Sequence, residues 1–174
     1  MDAMETPVSL LVYAYNEAAK ADKVLKALKE LEKRKIFTVL NAAVLVRGAD
    51  GKDTWKETED FDAKRGALFG AVAGGLIGLL GGPAGMIVGA AAGAAAGGVA
   101  AHRIDMGFSD EYLKDIQESL KPNSSALIAL VEHEWVDKVI QELEEHEGKL
   151  FRQALKADIA AQIVAFDSDK AAAE

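Results

Sequence analysis

The chain of 174 residues contains no cysteine. That excludes disulfides, thiolate metal ligands and a cysteine nucleophile. Aromatic residues are scarce at 6%, so the 50% apolar content is largely Ala and small aliphatics, still enough for a sizeable core. Basic residues fall short of acidic ones, 20 against 28, for a net charge of −8. Such a balance disfavours non-specific nucleic-acid binding, which needs a basic face. It equally disfavours attraction of the whole surface to anionic lipid. The segment Met1–Pro7 is acidic and has neither the basic start nor the apolar run of a secretory signal, so a cytoplasmic protein is expected. One more absence stands out. From Gly66 to Ala101 there is no charged side chain.

What fills that uncharged stretch is glycine at strict four-residue spacing. One run is Gly66, Gly70, Gly74 and Gly78, and a second is Gly85, Gly89, Gly93 and Gly97, with Gly81-Gly82-Pro83 between them. Glycine costs a helix roughly 1 kcal/mol per residue relative to Ala, so these positions need a compensating gain. On a helix they form one slowly drifting stripe, along which another helix can approach to backbone distance. The pattern predicts two small-residue helices folded into a hairpin. Three environments suit it. In the first, the hairpin enters a membrane, with Lys64-Arg65 and His102-Arg103 flanking it on the cytoplasmic side. Its arms are shorter than the roughly 20 apolar residues of a lipid-exposed span, which favours a re-entrant or oligomer-shielded hairpin. In the second, hairpins from several subunits bury one another in a soluble assembly. In the third, the hairpin belongs to the domain's own core.

The flanks read as two β-α-β units. Val8–Tyr15 (VSLLVYAY) is a buried strand, Asn16 is placed to cap a helix carrying Val24, Leu25, Leu28 and Leu31, and Phe37–Val46 is the next strand. Asp53–Thr58 has the pattern of a short polar strand, and Ser109-Asp110-Glu111 of a capped helix start running to about Leu120. Ser125–Val131 is again a strand, followed by a helix with Val136, Val139, Ile140 and Leu143 on one face and a strand over Lys149–Leu155. Asp22-Lys23-Val24-Leu25 matches Asp137-Lys138-Val139-Ile140 in place. The fold class expected is therefore α+β, a ferredoxin-like sandwich made from a duplicated βαβ unit. Its parts would be a first half over 1–47, an insertion over 48–120 holding the hairpin at about 66–101, a second half over 121–157 and an Ala-rich tail over 158–174. Two helices would cover one face of a four-stranded antiparallel sheet. The strands are apolar on both faces, so the second face should be covered too, by the hairpin, another subunit or both.

Taken together, VSLLVYAY…DKVLKAL, NAAVLV with the turn ADGK, the entry Lys64-Arg65-Gly66-Ala67, the tip LLGGPAG, KPNSSALIALVE and the second DKV helix resemble the domain of unknown function 1269 family. That bacterial family is described as predicted membrane proteins. The resemblance implies a membrane or stress-associated context and supplies no reaction and no catalytic residues.

Other motifs give little chemistry. No G-x-x-x-x-G-K-[ST] and no strand-linked G-x-G-x-x-G occurs, so no nucleotide cofactor is expected. His133-Glu134 starts like a zinc-protease helix, but position 137 is Asp, and no pair among His102, His133 and His146 has metal-ligand spacing. Glu142, Glu144, Glu145 and Glu147 alternate with apolar positions as a solvated face does. Trp55 and Trp135 serve either as interface anchors or as caps on a local core. The expectation is a non-enzymatic homo-oligomer whose contact surface is the eight-glycine stripe, with Lys64, Arg65 and Arg103 orienting it at headgroups on the inner face of the cytoplasmic membrane. Its partners would be itself and the membrane, with no nucleic acid. The alternative is a soluble oligomeric assembly or small-ligand-binding module with the hairpins packed between subunits.

Overall fold

The computed structural model describes residues 8–57 and 109–154, with the side chains of 55–57 left aside. Among these residues the fold is α+β, with five strands and three helices. The elements in chain order are β1 (Val8–Tyr15), α1 (Lys20–Lys33), β2 (Asn41–Arg47), β3 (Asp53–Glu57), α2 (Asp110–Ser119), β4 (Ser124–Glu132), α3 (His133–Glu144) and β5 (Lys149–Ala154). The sheet order is β3-β2-β4-β1-β5, and every neighbouring pair is antiparallel.

This order interleaves the two halves. β1 and β2 run parallel but β4 lies between them; β4 and β5 run parallel but β1 lies between them. Each helix is therefore a crossover between strands that never touch. The expected four strands gain a fifth because β3 joins the edge at β2, pairing Arg47 with Asp53 and Ala43 with Glu57.

Alternation along each strand assigns side chains to faces. Leu11, Tyr13 and Tyr15 of β1 share a face with Ala42, Val44, Leu127, Ala129 and Val131. On that face α1 lays Ala21, Val24, Leu25 and Leu28, and α3 lays Val136, Val139 and Leu143. All but Ala21 are positions that the helical periodicity of the sequence picks out; the other two it picks out, Leu31 and Ile140, are partly buried against the same core. Trp135 packs partly buried against the same core, with Lys138 Nζ 4.9 Å from its ring centre.

The opposite face is apolar as well. Leu10, Val12, Ala43, Leu45, Ile128 and Leu130 are all at most 3% exposed in the single chain. Part of the cover is α2, whose Ile116 is fully buried and whose Tyr112 ring meets the edge of Phe151 of β5. α2 starts as its sequence indicates, with the Ser109 hydroxyl accepting from the Tyr112 N–H at 3.1 Å.

The start of α1 departs from expectation. Asn16 does not cap it. The helix begins at Lys20 behind Ala19, which makes no side-chain cap. The cap comes instead from β4, where Ser125 Oγ accepts from the Ala21 N–H at 3.1 Å and donates to the Glu17 carbonyl at 2.6 Å. A free helix-start donor inside the core would be costly, and a serine 104 residues away removes that cost.

Candidate functional site

Every residue nominated by the glycine pattern lies outside the described residues. That holds for Gly66, Gly70, Gly74, Gly78, Gly85, Gly89, Gly93 and Gly97, and for Lys64, Arg65 and Arg103. What the structure does describe is how the segment carrying them is attached.

The outgoing attachment is β3, which ends at Glu57 opposite Ala43. Ala43 pairs with Ile128, Ile128 with Val12 and Val12 with Phe151, so these residues form one row across the sheet. The returning attachment is α2. Its first turn places Tyr112 on Phe151, with ring centroids 6.4 Å apart and planes at 86°. Departure and return therefore fall on the same row. β3 lies four strand spacings from β5, about 19 Å. β3 runs toward the end of the sheet where β1 and β2 begin, because it is antiparallel to β2. α2 runs away from that end, and the Leu120 carbonyl just beyond it reaches Arg47 at the far end of β2.

At that far end the chain is clamped. The Arg47 guanidinium donates to both carboxylate oxygens of Asp53, at 2.8 and 2.9 Å, and to the Leu120 carbonyl at 2.7 Å. The hydrogen bond to Asp53 raises the Arg47 pKa, against the opposing effect of burial. The Asn123 N–H donates to the Gly48 carbonyl at 3.2 Å, with Asn123 held at φ 63°. One bidentate pair thus ties the β2–β3 turn to the end of α2. The sequence offered no sign of it, because Arg47, Asp53 and Leu120 belong to three separate segments.

Beside this clamp lies an open cleft of about 480 Å³, lined by Ala14, Asn16, Glu118, Lys121, Glu147 and Lys149 among others. Gly148, one of its lining residues, is closely packed. A Cβ at Gly148 would sit 2.4 Å from Tyr13 Cδ1 and 2.7 Å from Tyr15 Cε1. The two tyrosine rings lie 5.3 Å apart, on the helix-covered face.

Among the described residues, buried polar groups that lack a hydrogen bond include the Tyr15 hydroxyl, the Ser124 hydroxyl and both amide atoms of Asn41. Burial raises the Tyr15 pKa, and Tyr13 beside it adds to the effect. Burial also raises Tyr13, with Glu144 contributing, and Tyr112. None of these phenols is tuned toward neutral pH, where acid–base chemistry would need it. His133 begins α3 and His146 follows its end, about 18 Å apart along the axis by helical rise. Among the described residues no group of three or more His, Cys, Asp or Glu is placed to hold a metal ion. Glu144, Glu145 and Glu147 are exposed, as a solvated face requires. Among the described residues no helix is long and apolar enough to cross a membrane.

Residues 67–166 match a family model described as a protein of unknown function, DUF1269. No curated protein matches the chain, and no solved structure does.

Proposed function

The chain belongs to the DUF1269 family, and we propose that it is a non-enzymatic, homo-oligomerising protein. In this reading the glycine-spaced segment is the contact surface and the α+β domain is its mount. The eight glycines let hairpins from neighbouring subunits approach at backbone distance. Association is with the inner face of the cytoplasmic membrane, and Lys64, Arg65 and Arg103 set the orientation there.

The observation that carries this reading is the attachment geometry. Glu57 lies on the row of the sheet that ends in Phe151, Tyr112 of α2 meets the Phe151 ring, and the chain departs toward and returns from the same end. A helical hairpin is compatible with this, because both of its feet lie on one side; its arms pack about 8–10 Å apart, closer than the roughly 19 Å between β3 and β5. A single crossing that left the halves on opposite sides of a bilayer would separate β1 from β4, which pair along their whole length.

The same reading takes the domain as a ferredoxin-like sandwich formed by duplication. In its support, each half is a βαβ crossover split by a strand of the other half. The matched positions Val24 and Val139 are both buried, as are Leu28 and Leu143. A second reading, a soluble module that binds a small ligand, draws on the cleft of about 480 Å³ beside the Arg47 clamp.

Light scattering coupled to size exclusion, with and without detergent, tests the first reading. Gly74→Leu and Gly89→Leu should each reduce the assembly, since overpacking costs typically ~1–3 kcal/mol per site and recurs in every subunit. Unchanged mass and stability in both variants would remove the stripe as contact surface. A defined large oligomer that needs no detergent would favour soluble assembly over membrane insertion.

A further inference from the structure

The charge of this acidic chain is unevenly placed. Lys20–Lys35, which is α1 and the start of its exit loop, holds seven of the 20 basic side chains and three acidic ones, net +4 in a chain of −8. The loop itself reads Lys33-Arg34-Lys35, and all three residues are exposed. Lys33 pairs with Glu30 at 2.7 Å. Arg34 and Lys35 make no ion pair among the described residues. Glu32, the other acid of this turn, is engaged as well, its Oε1 accepting from the Val39 N–H at 3.1 Å. Lys35 adopts φ 58°, the left-handed turn that ends α1 and sends the chain back to β2.

The position of this loop gives the cluster its meaning. α1 starts where β1 ends and delivers the chain to the start of β2, so Lys33-Arg34-Lys35 sits at the end of the sheet where β1 and β2 begin. That is the end toward which β3 runs out and from which α2 returns. The loop leads through Ile36–Leu40 into Asn41, two residues from Ala43, the partner of Glu57. Two independent features, the exposed basic loop and the direction in which β3 leaves and α2 returns, thus point to one end of the domain. The other acids at this end among the described residues are Glu132 and Glu134, where β4 passes into α3, Glu57 at the end of β3, and Asp110 and Glu111 in the first turn of α2.

We propose that Lys33, Arg34 and Lys35 form a contact for anionic lipid headgroups, which sets this end of the α+β domain flat against the membrane surface. The inference rests on the membrane reading above and adds to it a site on the folded domain, 29 residues before the nearest basic flank of the glycine segment, Lys64. A basic side chain near an anionic bilayer gains enough for about fivefold in affinity, and the effect fades within a Debye length. Only a loop at the surface-facing end collects it.

Flotation of the full chain with vesicles tests this. One vesicle is phosphatidylcholine alone; in the other about a third of the lipid is phosphatidylglycerol. The wild-type chain should bind the anionic vesicle more tightly. The triple variant Lys33→Gln, Arg34→Gln, Lys35→Gln should lose about 30-fold of that affinity, counting the two unpaired residues, and keep its binding to the neutral vesicle. A control removes the same charge from the opposite end, through Lys23→Gln, Lys52→Gln and Lys121→Gln. It should bind like wild type. Equal losses from the two triple variants would overturn the proposal, reducing the effect to net charge. Equal wild-type binding to both vesicles, unaltered by either triple variant, would overturn the headgroup contact alone and leave hairpin insertion standing. Failure of the wild type to bind either vesicle would overturn the membrane reading itself, and this contact with it.

Discussion

Ser124 and Ser125 are adjacent, both at most 1% exposed, and point to opposite faces of β4. They should respond to alanine in opposite ways. Ser125 Oγ bridges the Glu17 carbonyl and the Ala21 N–H, at 2.6 and 3.1 Å. Ser125→Ala removes both bonds and leaves the donor of Ala21, a fully buried residue, without a partner. An unsatisfied buried donor costs ~1–3 kcal/mol, and loss of a helix cap typically ~1 kcal/mol; here they are one event, so about 2 kcal/mol is expected. In a chain of this size each kcal/mol moves the melting midpoint by roughly 2–4 °C, so the shift should be about 4–8 °C. Ser124 Oγ has no hydrogen-bond partner. Ser124→Ala removes a desolvated hydroxyl that contributes nothing and should be neutral, or stabilising by up to ~1 kcal/mol. Urea unfolding at fixed protein concentration, followed by circular dichroism, measures both. The midpoint should fall for Ser125→Ala with its slope unchanged, and hold or rise for Ser124→Ala. Equal losses would refute the assignment of the cap to Ser125.

Two further outcomes follow from packing and from burial. Gly148→Ala places a Cβ 2.4–2.7 Å from the rings of Tyr13 and Tyr15, so it should lower stability by ~1–3 kcal/mol and alter near-ultraviolet circular dichroism from those tyrosines; an unperturbed spectrum with unchanged stability would show that the turn is free to shift. Burial raises the Tyr15 pKa above its ordinary value of 10.0, so its contribution to stability is complete below pH 10.0 and is lost as the pH climbs from there toward the folded-state value. Tyr15→Phe, which also deletes a hydroxyl without a partner, should match or exceed the wild type at neutral pH and lose less stability in alkali; pH titration of the thermal midpoint is the check.

Much of the fold was legible because its signals are local. β1 spans Val8–Tyr15, as its apolar run implies, and α3 buries Val136, Val139 and Leu143, as their spacing implies. Periodicity was less informative for β2. Phe37 and Leu40 are buried, yet they precede the strand, and an apolar run does not distinguish a strand residue from a buried loop residue. The features that escaped are non-local. Ser125 caps a helix 104 residues upstream, and Arg47 bonds to a carbonyl 73 residues downstream. Neither distance leaves a trace in a sequence window. α2 was recognisable as a capped amphipathic helix, but its role as a cover for the second sheet face depends on which strands lie beneath it. The candidate site divides along the same line. The glycine spacing is visible in the sequence and falls outside the described residues; the row from Glu57 to Phe151, whose ring Tyr112 meets, is visible only in the register.

The interleaved strand order also has a consequence for biosynthesis. β4 is the central strand, paired with both β1 and β2, and it is made late: Val8 waits for Glu132. At roughly 5–20 residues per second, Tyr15 emerges on the order of ten seconds before the last residue of its partner strand. Throughout that interval β1, apolar on both faces, has no neighbour to pair with, and before it ends the uncharged glycine-rich stretch has also left the ribosome. The nascent chain therefore presents its stickiest segments before the strand that would close the sheet exists, and the order of synthesis favours capture of those segments by a chaperone or a lipid surface ahead of folding.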